Sequence, residues 1–186
     1  MADIQEGYWK DGGEKMRNNT GKIILAAFFL ALGIVLPFLT MQIPSIGNML
    51  LPMHIPVLLC GFICGAPYGA AVGFILPLLK SILFGVPVMI PNALAMSVEL
   101  LCYGMFSGCL YKLLKHKKCG IYVSLISAML IGRIAWGIIS FFLFKILGNE
   151  FTWMIFATQA FVNAIPGIVI QLILIPAIIV SLGKIK

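Results

Sequence analysis

The stretch from Pro91 to Phe106 reads PNALAMSVELLCYGMF, and Glu99 carries a charge into an otherwise apolar run. A carboxylate there could act as a base, hold a ligand or form half of an ion pair. Other polar residues also interrupt apolar runs: Lys80 in LLKSILFG, Arg133 in IGRIAWG, and Gln159, Asn163 and Gln171 in the last run. The spacings of four and eight put the last three roughly on one helix face. No partners for group transfer accompany them. The chain has no HExxH, no GxSxG and no glycine-rich loop ending in lysine, so it offers no zinc-protease, nucleophile-elbow or ATP-binding signature. Cys60 and Cys64 are spaced CxxxC, which is neither a zinc nor a redox spacing, and they read as small hydrophobes. The two histidines, His54 and His116, make no metal-ligand set, and His116 lies in a basic KHKK loop. We therefore expect no enzyme, no metal and no cofactor.

The elements that must position these groups follow from composition. Of 186 residues, 61% are hydrophobic and 10% charged, with a mean hydropathy of +1.08. A soluble domain of this size would have too little polar surface to face water, so the chain reads as an integral membrane protein. Six apolar runs appear, at about Lys22–Leu39, Met53–Cys64, Tyr68–Phe84, Asn92–Leu114, Gly120–Ile146 and Trp153–Leu182. Crossing the hydrocarbon takes about 20 residues. The second run falls short of that length, and the last two exceed it and need tilt or a kink.

Charge sets the orientation. Lys10, Lys15, Arg17 and Lys22 precede the first run, Lys112, Lys115, Lys117 and Lys118 separate the fourth from the fifth, and Lys184 and Lys186 follow the sixth. Six spans put all three basic segments on one side, which the positive-inside rule makes cytoplasmic. The pI near 9.3 is thus a topology signal, not a nucleic-acid one. The expected fold is an all-α integral membrane protein, a compact bundle of six transmembrane helices with both termini cytoplasmic. Residues 1–21 form a polar cytoplasmic segment and 22–186 the membrane domain. The chain is expected in the plasma membrane, in contact with lipid.

Depth follows from the helical rise. Glu99 lies about 10 Å below the outer end of its helix. Gln159 and Asn163 lie about 9 and 15 Å below Trp153, and Arg133 about 18 Å from Lys145. These groups can converge on one outward cavity. An unpaired charge in hydrocarbon costs several kcal/mol, so Glu99 and Arg133 are expected to pair, with the pocket around or beside them. Lys80 either snorkels to the outer interface or reaches into the cavity to attract an anion. Trp136, Trp153, Tyr103 and Phe106 could supply aromatic walls. Small residues recur at intervals of four: Gly61, Gly65, Gly69 and Gly73, then Gly104 and Gly108, and Ala27 with Ala31. Such grooves let helices approach closely. The glycines read as internal packing. The alanine pair lies on a bulky, apolar first helix that could face lipid or a partner.

Six spans, AxxxA on the first helix, and the stretches LPMHIPVLLCGFICGAPYGAAVGFILPLLKSILFG, VELLCYGMFSGCLY, GRIAWG and NAIPGIVIQLILIPAIIV together resemble the S components of energy-coupling factor (ECF) vitamin transporters. The likeness covers nearly all of the chain after about residue 20 and is closest to the broad pantothenate- and folate-like branch. It implies a subunit that captures a vitamin or related micronutrient from outside. Such a subunit delivers its solute by docking to a transmembrane coupling protein and two ATPases. It also implies that Ala27 and Ala31 form the docking surface. The implied pocket comprises Lys80, Asn92, Glu99, Arg133, Trp136, Gln159 and Asn163, with the loop around Gln42–Asn48. Lys80 and Arg133 would suit a carboxylate, which inclines the substrate towards pantothenate. The principal alternative is an autonomous secondary transporter, which would need ion-coupling groups and commonly inverted repeats. Pro166-Gly167 is one candidate helix break, without a matching half.

Overall fold

A computed structural model describes residues 2–39, 51–114, 119–148 and 164–184, with side chains described for 19–38, 51–114, 119–148 and 164–181. It is all-helical over these residues. Six helices follow in order: α1 (Ala2–Leu39), α2 (His54–Cys64), α3 (Ala66–Phe84), α4 (Leu94–Leu114), α5 (Gly120–Ile146) and α6 (Ile165–Lys184). A kinked turn, Met89–Ala93, in which Ile90 is extended (φ −120°, ψ 126°), leads into α4.

Four segments are long and apolar enough to cross a membrane: Asn19–Phe38, Ala66–Phe84, Met89–Leu114 and Gly120–Ile146. His54–Cys64 and Ile165–Ser181 are shorter apolar helices. At 11 residues, α2 spans only about 16 Å, against a hydrocarbon core of about 30 Å. The second apolar run is short in the sequence for the same reason. The boundaries of α3 and α5 match their apolar runs closely, whereas α1 runs back as helix through the polar segment to Ala2. Gln42–Asn48, His116, Trp153, Gln159 and Asn163 lie outside the described residues.

Glycine geometry sets the turns. Gly65 takes φ 101° and ψ 169°, and its N–H bonds to Gly61 O, so α2 ends and α3 begins within one residue. A side chain would oppose that conformation. Gly85, in the left-handed region at φ 69°, closes α3 by bonding to Ser81 O.

The core sits where α4 meets α2, α3 and α5. The glycine ladder does the internal packing expected of it. A Cβ on Gly69 would lie 2.6 Å from both Gly104 O and Gly61 Cα, and one on Gly61 would lie 2.5 Å from Gly104 O. One on Gly104 would strike the Gly69 carbonyl, and one on Gly73 the Leu100 carbonyl. The pairs 69/104 and 73/100 run in opposite directions, so α3 is antiparallel to α4. Gly61 against Ser107, together with His54 against Glu99, makes α2 parallel to α4. α5 runs antiparallel to α4, with Gly120 at Leu114 and Gly132 at Tyr103. Leu58, Leu76, Leu100, Leu125 and Ile175 fill the interior. The outer faces carry Phe28, Phe74, Ile75, Leu130, Ile134 and Phe142, all exposed as lipid contact requires.

Replacing Gly104 by alanine should cost about 1–3 kcal/mol, because backbone on the facing helix must move. Gly21→Ala meets nothing within 4 Å and should leave stability unchanged or raise it by up to about 1 kcal/mol. Thermal melts of the detergent-purified variants would separate the two.

Candidate functional site

On α4, Glu99 and Tyr103 are one turn apart, and both face inward. Glu99 is 2% exposed. Three groups from three helices gather on its Oε1. Arg133 of α5 brings Nη1 to 3.1 Å, and Tyr103 donates its hydroxyl at 3.0 Å. The Nε2 of His54, at the first position of α2, lies 3.6 Å away. That last distance is beyond a good hydrogen bond but within range of an ion pair if the ring is protonated. The expected Glu99–Arg133 pair is therefore formed, and it is buried on both sides. A pair so placed holds together only because each charge replaces the other's hydration.

Local packing makes the arrangement possible. Arg133 lies at the midpoint of α5, directly after Gly132. A Cβ on Gly132 would strike the Tyr103 ring, so this glycine provides the space from which Tyr103 reaches Glu99. The His54 ring packs edge-on against Tyr103, with centroids 5.3 Å apart. The buried serines Ser97, Ser107 and Ser124 instead donate to carbonyls of their own helices, which satisfies them locally.

Not every donor is used. Arg133 Nε and Nη2, both ring nitrogens of His54, and both side-chain polar atoms of Gln171 are buried without a hydrogen-bond partner among the described residues. Leaving such groups unmet costs about 1–3 kcal/mol each. The unmet nitrogens of Arg133 and His54, beside the ion pair, are what a polar solute would engage.

The sequence-derived residues divide accordingly. Glu99 and Arg133 come together. Lys80, near the end of α3, is buried, and its Nζ lies 3.7 Å from Met53 Sδ. It therefore points inward instead of snorkelling. Trp136 is half-buried, one turn on from Arg133, and Asn92 is exposed in the kinked turn before α4. Two participants were missed. His54 could have been found by the criterion that isolates Glu99, since it is a polar residue within LPMHIPVLL. Tyr103 was read as an aromatic wall, but it is a hydroxyl donor to the carboxylate. Among the described residues no three His, Cys, Asp or Glu side chains group as metal ligands.

Glu99→Gln and Arg133→Gln should each destabilise the protein by about 3–5 kcal/mol, since each leaves a buried partner uncompensated. Converting both residues to Met should restore much of that loss. Tyr103→Phe should cost about 1–2 kcal/mol. Gly132→Ala should lower the melting temperature more in the wild type than in a Tyr103→Ala background. Melting temperatures in one detergent would check all four expectations.

No curated protein and no solved structure matches the chain. A family model described as "ECF transporter, substrate-specific component" matches residues 21–179, a range that takes in every group of the buried cluster. With its apolar membrane-crossing helices, the chain is a multi-pass membrane protein, and it belongs to the family of substrate-specific components of ECF transporters.

Proposed function

We propose that this chain is the high-affinity substrate-binding subunit of an ECF transporter, capturing a vitamin or related micronutrient from outside the cell. The observation that carries the reading is the polar cluster shared by α2, α4 and α5, in which a buried ion pair is flanked by unengaged donors. A purely structural pair has no need of idle guanidinium and imidazole nitrogens. The pocket comprises Lys80, Asn92, Glu99, Arg133, Trp136, Gln159 and Asn163, and His54 joins it. Cationic groups in a low-dielectric site favour a carboxylate, which makes pantothenate the first ligand to test.

Delivery requires docking to an ATP-driven module of a transmembrane coupling protein and two ATPase subunits. Ala27 and Ala31 supply the contact. Both are exposed, whereas Ala26, Phe29 and Gly33 of the same helix are buried in the bundle. A small-residue stripe between Ile23, Phe28 and Val35 permits close approach of a foreign helix. The chain crosses the membrane six times. Both termini are cytoplasmic, in keeping with the three basic segments.

Two experiments test this reading. Mass spectrometry of the purified chain should find one small organic acid bound, and titration of the stripped protein should give nanomolar affinity without nucleotide. Ion-gradient-driven uptake by the chain alone in liposomes would overturn the reading in favour of a secondary transporter. Ala27→Leu combined with Ala31→Leu should leave that affinity unchanged and abolish ATP-dependent uptake in cells carrying the coupling module. Loss of binding would move these residues from the docking surface to the core.

A further inference from the structure

The sequence offers two buried cations to an anionic solute, Arg133 and Lys80, and their surroundings divide the work between them. Arg133 is already neutralised. Its Nη1 meets Glu99 Oε1 at 3.1 Å, with both side chains under a tenth exposed. A solute carboxylate brought to Arg133 would set a second negative charge beside Glu99, and like charges sharing one buried site repel strongly. Among the described residues Lys80 has no such partner. It is 7% exposed, and among the described residues no carboxylate lies within ion-pair distance of it. The contact made by its Nζ is to Met53 Sδ, at 3.7 Å. A thioether is a weak acceptor, and an ammonium withdrawn from water costs several kcal/mol unless negative charge replaces its hydration. Met53 directly precedes His54, so the ammonium stands at the same end of α2 as the Glu99 cluster.

We propose that Lys80 is the anion receptor of the substrate site, and that Arg133 and His54 hold a neutral polar part of the same solute. The assignment rests on the substrate-binding reading above and narrows its substrate class. The solute is a small monoanion whose acidic group is separated by apolar atoms from a hydroxyl, amide or carbonyl. The acid meets Lys80. The neutral group meets the free Nε and Nη2 of Arg133 and the ring nitrogens of His54, where it adds no charge to a balanced pair. Cationic solutes are rejected, because they would face an uncompensated ammonium. The other carboxylate of the membrane domain, Glu150, lies outside the described residues, and its pairing with Lys80 is an outcome the test can detect.

Calorimetric titration would use matched pairs of acid and neutral counterpart: pantothenate with panthenol, nicotinate with nicotinamide, and biotin with biotinamide. The proteins would be wild type, Lys80→Met and Lys80→Arg. For whichever pair binds, the wild type should prefer the acid by about 10- to 100-fold, the range of a buried charge-assisted contact. Lys80→Met should lose that preference by weakening the acid alone, and Lys80→Arg should keep part of it. Survival of the preference in Lys80→Met, or equal weakening of acid and neutral compound, overturns the assignment while leaving substrate binding intact. If no compound binds the wild type, the substrate-binding reading falls and the assignment falls with it. A ligand-free arm needs no solute. Lys80→Met should raise the melting temperature, because it removes an unpaired buried charge. A fall matched by Glu150→Gln would identify a carboxylate of the chain as the partner and overturn the proposal.

Discussion

A carboxylate in the interior of a membrane protein must exchange its water for a cation and hydrogen-bond donors, and Glu99 imposes that demand on the whole bundle. Its Oε1 takes Arg133 from α5 and Tyr103 from its own helix, with His54 of α2 beside it. Side chains of fixed length can meet at about 3 Å only if their helices come close. The glycines of α2, α3 and α4 provide that closeness by letting backbone rest on backbone. Charge and small residues are thus two parts of one arrangement. Gly132 shows the coupling most directly, because the space it leaves is occupied by the ring whose hydroxyl serves Glu99.

The cluster is not self-satisfied. An ion pair kept only for stability is often no better than well-packed apolar residues, and here several of its neighbours' donors stay unmatched among the described residues. The chain belongs to the substrate-specific components of ECF transporters, and the proposed substrate-binding role gives that cost a purpose. Polar groups that a folded chain leaves unmet are groups a captured solute can meet. The apolar faces of α1, α3 and α5 turn outward, so the chain keeps its polar cluster inside and a lipid-compatible surface outside. Its first helix adds a stripe of small residues on the outer side.

Much of this was legible residue by residue. The spans α3 and α5 followed from apolar run lengths. The shortness of α2 was visible in the sequence, and Gly65, where α2 gives way to α3, adopts a conformation that suits glycine. The pairing of Glu99 with Arg133 followed from depth and from the cost of an unpaired charge. The inward path of Lys80 did not, since a lysine near a helix end can snorkel or fold inward with equal sequence support. His54 gives no such signal of its neighbour, because the carboxylate beside it lies 45 positions away in the sequence.

By itself the sequence determined the medium, the helices and the inventory of buried polar groups, because hydropathy, charge placement and small-residue spacing are properties of single segments. Only the tertiary structure decided which of those groups share an oxygen atom. That choice depends on α2 running parallel to α4 and on α5 presenting Arg133 at the level of Glu99. The tertiary structure also decided the rotation of α1 that turns Ala27 and Ala31 outward while Ala26 and Phe29 turn in. Register and rotation between helices are set by how their surfaces interlock, and a few ångströms or one residue of slip would separate every contact at the site.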